Sequence, residues 1–174
     1  MKKLLFTLLI MCVTVATAMA GSDIKVLKGD KKFFKTAQGT AQLEIVWDQA
    51  KYDNRMPLTE QFKDMTKYAE ASWNGFYETF NDKCKKVKVV RAANSYDYKF
   101  TMRVSNVDQY LKVMGFVPGP ATKIWGTLTI SDAKTGEELV IIDVDYVDGG
   151  ASPSPFESFS DSFEKLAEEV AHLK

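Results

Sequence analysis

The sequence is poor in the residues that most often perform catalysis and bind metals. Its 174 residues include one histidine, His172, and two cysteines, Cys12 and Cys84. One histidine cannot supply a multi-histidine zinc site, and a serine or cysteine nucleophile would lack its usual base. His172 stands near the carboxyl end, where we expect it on the last turn of a helix, complementing the helix dipole. These shortages argue against metal-dependent and nucleophilic enzymes.

The chain also lacks an excess of charge of either sign. Lysine and arginine together number 23, and so do aspartate and glutamate. Nucleic-acid binding is therefore not expected, because it depends on neutralising phosphates. Neither G-x-x-x-x-G-K nor G-x-G-x-x-G occurs, so no nucleotide-binding loop and no cofactor are predicted.

Long apolar runs are lacking except at the amino terminus. Two lysines precede an apolar stretch over residues 4–15, and Ala18-Met19-Ala20 follows as a small-x-small cleavage site. This order is typical of a secretory signal peptide, residues 1–20, cleaved after Ala20. The stretch is shorter than the roughly 20 residues that span a bilayer. We predict a periplasmic or secreted protein whose mature part, residues 21–174, is one α+β domain without a transmembrane segment.

The two cysteines do not form a disulfide in this interpretation. Cys12 leaves with the signal peptide, and Met11 stands where a lipidation site requires a small residue. Cys84 is then alone in the mature chain. The lysines around it could make it reactive, but no histidine lies nearby, so we favour a half-buried residue at the end of a helix.

The spacing of apolar residues predicts the secondary structure. Alternation predicts strands over residues 41–47, 86–91, 96–105, 124–130 and 140–146, with 24–27 and 32–34 as candidate edge strands. Intervals of three and four predict one helix over about 58–82, in which Gly75 would allow a close approach to the sheet. A second helix opens at the capping box Ser154-Pro155-Phe156-Glu157.

These elements predict an α+β fold built as a two-layer sandwich. We expect a mixed, mostly antiparallel sheet of about five strands with two amphipathic helices on one face. The first helix should join two parallel strands by a right-handed crossover, and the remaining pairs should be antiparallel.

A loop predicted over residues 113–121 is the first candidate contact surface. It is rich in glycine and proline and carries Phe116, which has little core to join there. Aromatic residues in stiff loops often contact partners, so Phe116 is a candidate partner contact. The alternative is that Phe116 folds back over one end of the sheet.

A second candidate surface lies on the predicted hairpin. Trp125 points away from the core side of its strand, and Leu139 and Ile141 share the corresponding face of the next strand. These three residues form either a small apolar patch for a partner or a surface covered by the amino-terminal segment with Phe33 and Phe34. We favour the second possibility.

Three aspartates superficially resemble a calcium loop. Asp143, Asp145 and Asp148 precede Gly149, but the spacing is off by one residue and Ser154 stands where the loop needs glutamate. We expect a solvated face of the sheet instead, and no metal site is predicted.

Three stretches carry a resemblance to known proteins: Tyr96–Val104, Thr127–Leu139 with its turn Asp132-Ala133-Lys134-Thr135-Gly136, and the closing helix. Their order resembles bacterial envelope domains, namely small lipoproteins of unknown function, the amino-terminal domain of the Tol translocation protein and the periplasmic part of the curli-secretion lipoprotein. The chain departs from many of these in lacking a lipidation site. The resemblance implies a non-enzymatic envelope or assembly module and transfers no functional residues.

The leading hypothesis is therefore an exported, non-enzymatic module of the cell envelope that binds or assembles with an envelope protein, its oligomeric state left open. Two alternatives remain. One is a periplasmic protein that binds a small ligand in a pocket lined by Trp73, Phe76 and Tyr98. The other is a carboxylate-dependent hydrolase, for which no pair of acids stands out.

Overall fold

The computed structural model describes residues 21–91, 95–114 and 117–173. In this part of the chain the strands are β1 (Gly21–Lys28), β2 (Gly39–Val46), β3 (Lys51–Tyr52), β4 (Met56–Pro57), β5 (Val87–Val90), β6 (Tyr98–Met114), β7 (Val117–Asp132) and β8 (Glu138–Ala151). The helices are α1 (Phe33–Thr36), α2 (Leu58–Gln61), α3 (Met65–Lys83) and α4 (Pro155–Ala171). The predicted signal peptide lies outside the described residues.

The α+β class is confirmed, and the sheet is larger than the five strands expected. Its order is β1-β8-β7-β6-β2-β5, with β3 on the edge of β6 and β4 on β3. Strand β2 runs parallel to β5 and to β6, and β3 is also parallel to β6. The predicted parallel pair on either side of the first long helix is confirmed as β2 and β5. The prediction that all other pairs are antiparallel is wrong, because β6 runs parallel to both β2 and β3.

Helices α3 and α4 pack against each other and against one face of the sheet, α3 over β2 and β5 and α4 over β7, β8 and β1. Their aromatic residues Phe76, Phe80, Phe159 and Phe163 are fully buried there. Gly75 serves this helix pair rather than the sheet, which corrects the prediction. A Cβ at Gly75 would lie 2.5 Å from the carbonyl oxygen of Ser160 in α4, so only glycine fits this contact.

The helix predicted over residues 58–82 is two helices. The chain leaves α2 at Phe62, which has extended backbone angles. Asp64 then caps α3, since its Oδ1 accepts a hydrogen bond from the Thr66 N–H at 3.2 Å. This cap satisfies a donor that a continuous helix would have paired internally, and it lets Phe62 pack against Tyr52, Tyr68 and Phe159.

The amino-terminal segment supplies edge strand β1 of the sheet and then helix α1, which packs on the helix side. Residues 24–27 form part of edge strand β1 as predicted, but residues 32–34 belong to the turn that opens helix α1. Phe34 packs edge-on against Phe80 and Phe100, at 5.4 and 5.9 Å between ring centroids. The prediction that Phe33 and Phe34 cover Trp125 is therefore wrong, because the larger gain in burial is in the core.

Two local predictions are confirmed in the carboxyl-terminal half, namely the turn between β7 and β8 and the capping box at the start of α4. The Asp132 carboxylate accepts hydrogen bonds from the N–H groups of Lys134 and Thr135 in the β7–β8 turn, and Gly136 takes a φ of +73° there. At the start of α4, the Ser154 hydroxyl accepts a hydrogen bond from the Glu157 N–H at 3.3 Å. None of the described helices is long and apolar enough to cross a membrane.

Candidate functional site

The residues predicted as a loop over 113–121 belong largely to the outer end of a long hairpin. Strand β6 continues to Met114, and β7 starts at Val117. Strand β7 pairs with β8 only as far as Ala121, and β6 pairs with β3 only as far as Val107. Beyond these points the described parts of β6 and β7 pair only with each other. We call residues 109–114 and 117–120 the arm.

The arm exposes apolar side chains on its helix-side face. Leu111 and Val113 are 77% and 56% exposed, and Pro120 and Pro118 stand opposite them on β7. Gln109, Tyr110, Leu111, Pro120 and Pro155 line a largely apolar hollow of about 530 Å³ where the arm meets the start of α4. A solvent-exposed apolar strip of this kind is typical of a contact surface.

A buried carboxylate fixes the arm from the outer face of the sheet, the face turned away from α3 and α4. Asp148 of β8 is 4% exposed. It accepts hydrogen bonds from Tyr110 Oη at 2.5 Å, Lys112 Nζ at 3.0 Å and the Gly150 N–H at 2.9 Å. Since Tyr110 and Lys112 belong to the arm, this carboxylate ties the arm to β8.

The protonation states favour this anchor. Burial by itself would raise the pKa of Asp148, but the hydrogen bonds from Tyr110, Lys112 and Gly150 outweigh it and hold that pKa below its usual value. Burial, and then the hydrogen bond to Asp148, raise the pKa of Tyr110 far above its ordinary range. The phenol of Tyr110 therefore keeps its proton and donates a hydrogen bond to the ionised Asp148 carboxylate. Lys123 lies between the rings of Tyr110 and Tyr146, 5.3 and 5.4 Å from their centroids.

A network of neutral polar groups holds the arm from the helix side. Gln109 Nε2 donates to Ser158 Oγ of α4 at 3.2 Å, and Ser158 Oγ lies 2.6 Å from Thr122 Oγ1. Ser162 Oγ donates to the Thr122 carbonyl at 2.6 Å. Thr122, Ser158 and Ser162 are fully or almost fully buried. The base of the arm is thus fixed on both faces, and its apolar end projects from a rigid support.

The structure places the predicted contact residues in different surroundings. Phe116 lies outside the described residues. Trp125 and Ile141 share the outer face of the sheet, but the Thr127–Asp143 pair lies between their positions in the register. Leu139 packs against the margin of the core.

Sequence reasoning missed the two anchors, although part of the signal was present. Residues Gln109 to Val113 continue the alternation of β6, with Tyr110 and Lys112 on one face and Leu111 and Val113 on the other. The prolines at 118 and 120 favoured a loop. Their two-residue spacing instead suits the edge of a strand. Nothing in the sequence pairs Asp148 with Tyr110.

The other candidate residues do not converge. Asp143 is half-buried and Asp145 is exposed on β8, whereas Asp148 is occupied by the arm. Cys84 is buried at the end of α3, and His172 Nδ1 lies 2.8 Å from the Glu168 carbonyl at the end of α4. Among the described residues, no group of three or more histidines, cysteines, aspartates or glutamates is placed to hold a metal ion.

The predicted ligand pocket is not an open cavity. Phe76 is fully buried and stacked on Phe80, at 5.5 Å between centroids. Trp73 donates its Nε1–H to the Leu43 carbonyl at 3.3 Å, and Tyr98 packs edge-on against Phe33. These side chains belong to the core and its margin, where they pack against neighbours rather than around a ligand.

A groove of about 540 Å³ between α3 and α4 gathers carboxylates, among them Asp161 and Glu164. Burial raises the pKa of both groups. Each already has a partner, since the Ser152 hydroxyl donates to Asp161 and the Ser160 hydroxyl donates to Glu164. Lys83 and Lys165 line the same groove and offset its charge.

No family model matches the sequence, and no curated protein matches it either. Among solved structures, the PelC dodecamer from Paraburkholderia phytofirmans is 12% identical, with 86% of this chain and 97% of that chain covered and a TM-score of 0.49. A DUF330 protein from Xanthomonas campestris is 14% identical, with 86% and 90% covered and a TM-score of 0.45. With TM-scores below 0.5, nothing about the function of this chain follows from these similarities.

Proposed function

We propose that this protein is an exported, non-enzymatic module of the bacterial cell envelope that binds or assembles with a protein through its arm. The main support is the exposure of Leu111 and Val113 on a base that is anchored from both faces. A rigid support favours binding, because little conformational freedom is lost when a partner covers the arm. Export rests on the signal peptide predicted over residues 1–20.

The shape of the surface favours a protein as the partner. The apolar residues lie along a projecting strand and in an open hollow beside Pro155, not in an enclosed cavity. Small ligands are usually bound in concave sites that bury most of their surface. Phe116, which stands in the sequence between the two strands of the arm, is a further proposed contact, as are Trp125, Leu139 and Ile141 on the hairpin.

A retention assay tests this function. The exported protein, expressed from its full sequence, is immobilised and exposed to an envelope extract of the source organism. We expect the double variant Leu111→Ser/Val113→Ser to retain at least about ten-fold less of the partner than the wild type does, because the apolar contact is removed. Leu27→Ser is the matched control, since Leu27 is 58% exposed on β1, away from the arm.

Equal retention by the arm variant and the wild type would overturn the proposed use of the arm. Equal unfolding midpoints for both variants ensure that a loss reflects binding rather than misfolding. Phe116→Ala and Trp125→Ala in the same assay test the other proposed contacts, each of which is wrong if its variant retains the partner as the wild type does.

A further inference from the structure

The β6 edge of the arm carries backbone groups that point outward. The Val107 carbonyl accepts a hydrogen bond from the Asp53 N–H at 2.9 Å, so the backbone of Val107 faces the β3 side. Backbone groups alternate sides along a strand, so those of Gln109, Leu111 and Val113 face the same way. The Gln109 carbonyl accepts a hydrogen bond from Tyr52 Oη at 3.2 Å, in agreement with this direction. No described strand pairs with this edge at Leu111 or Val113.

The β7 edge of the arm differs, because its outward donors are missing. The Pro120 carbonyl accepts a hydrogen bond from the Ser152 N–H at 2.9 Å, so the backbone of Pro120 faces away from β6. Pro118, two residues earlier, faces the same way. Ser152 itself covers the edge at Pro120, and proline has no N–H, so an added strand would find no donor at Pro118 either. The arm therefore has one edge that can accept a strand and one edge that is blocked.

We propose that a second copy of this chain pairs with the open β6 edge, antiparallel, with a two-fold axis at Lys112. Leu111 would then exchange hydrogen bonds with Val113 of the partner subunit, and the symmetry would repeat this pair on the other side of the axis. The apolar side chains of both arms lie on the helix-side face and cover one another. This inference rests on the proposed use of the arm as the contact surface.

Two features fix the pairing and its size. Tyr52 covers the edge at Gln109, so the added strand cannot slide towards the body of the sheet. Because the prolines block the β7 edge of each copy, the assembly closes at two subunits instead of growing into a filament.

The charges permit this register. The two Lys112 side chains meet across the axis on the outer face, where like charges directly opposite one another are unfavourable. In each copy, however, Lys112 Nζ lies 3.0 Å from the Asp148 carboxylate, which offsets its charge. Only Leu111 and Val113 of each copy exchange hydrogen bonds in this register, so the dimer should be weak and reversible.

Sedimentation equilibrium of the purified full-sequence protein after export tests the pairing. The wild type should show a monomer–dimer equilibrium at concentrations up to about 1 mM. Val113→Pro should weaken the dimer about ten-fold or more, because it removes an outward N–H from each copy. The pairing of β6 with β7 is preserved, since it uses the neighbouring residues Lys112 and Met114. Val113→Thr keeps the N–H and the branched shape, and should still dimerise.

A second variant tests the β7 edge of the arm. Pro118→Val restores an outward donor of β7 beyond the position that Ser152 covers, and it should produce assemblies larger than the dimer. A monomeric wild type, or a Val113→Pro variant that dimerises as the wild type does, overturns the pairing. If the wild type is monomeric while Leu111→Ser/Val113→Ser still loses its envelope partner, the self-pairing is wrong and the proposed function stands. If the wild type dimerises and Leu111→Ser/Val113→Ser still retains the envelope partner, the proposed function is wrong and the self-pairing stands.

Discussion

The β6–β7 hairpin has two halves that share one sequence pattern and differ in what covers them. In the inner half, Phe100, Met102 and Val104 of β6 lie beneath the helices and are at most 3% exposed. In the outer half, Leu111 and Val113 face the same side of the same hairpin and remain mostly exposed. The two anchors, at Asp148 and at Thr122, lie where one half passes into the other.

This difference shows that the alternation of a strand specifies which residues share a face but does not specify whether that face is buried. The alternation specifies which residues share a face, and it continues along both halves apart from a bulge between Val104 and Asn106. Burial depends on whether another element reaches that face. Helix α4 begins at Pro155, beside the base of the arm, so the apolar residues beyond that point project past the core.

The largest expected effect is on the buried half. Phe100 is fully buried between Phe34 and Phe80, so Phe100→Ala should lower the free energy of unfolding by about 3–5 kcal/mol through lost burial and the cavity left behind. Leu111→Ala, on the exposed half, should change it by no more than about 0.5 kcal/mol. Urea denaturation of both variants measures the contrast. Similar losses would mean that the arm is buried in solution and that the two halves do not differ.

A substitution at the border between the two halves should have an intermediate effect on the free energy of unfolding. Asp148→Asn keeps the size of the side chain but removes the charge that Tyr110 and Lys112 share, and we expect a loss of about 1–3 kcal/mol. Hydrogen exchange at the arm amides, such as that of Tyr110, should become faster, while the amide of Phe100 keeps its relative protection. Asp145→Asn is the control, since Asp145 is exposed on the same strand. Unchanged exchange in the arm would show that Asp148 is not its anchor.

The same variant also has a pH signature. The pKa of Asp148 is lower in the folded protein than its unfolded value of about 3.9. Its contribution to stability is therefore complete above that unfolded value and is lost as the pH falls through the lower, folded pKa. The difference in unfolding free energy between the wild type and Asp148→Asn should be nearly constant from pH 7 down to about 4 and should shrink as the pH is lowered further. A difference that stays constant below that pH would point to packing instead of charge.

Local patterns predicted much of the fold, and contacts distant in the sequence decided the rest. The strands predicted over residues 41–47 and 96–105 and the capping box at Ser154 are confirmed, because each depends on neighbours in the sequence. The break at Asp64 was missed because an apolar period of three and four continues across it. The sequence predicts a loop at the arm because Pro118 and Pro120 are typical of turns. Only their pairing with β6, which the sequence does not specify, places them in a strand.

The smallest effect is expected in the anchor on the helix side. Thr122→Val replaces a hydroxyl by a methyl group of similar size, which removes the contact of Thr122 Oγ1 with Ser158 Oγ. Ser158 still donates to the Pro155 carbonyl at 2.7 Å and still accepts from Gln109 Nε2, so no group is left without a partner. We expect a loss of about 1 kcal/mol in the free energy of unfolding.

Thr129→Val on the same strand is the matched control, because Thr129 lies half-buried on the outer face, and its effect should stay within about 0.5 kcal/mol. Denaturation curves compare the two variants. If Thr122→Val cost as much as Asp148→Asn, the neutral network would be as important as the charged one. The arm would then depend on α4 no less than on β8, and movements of α4 would be transmitted to the contact surface.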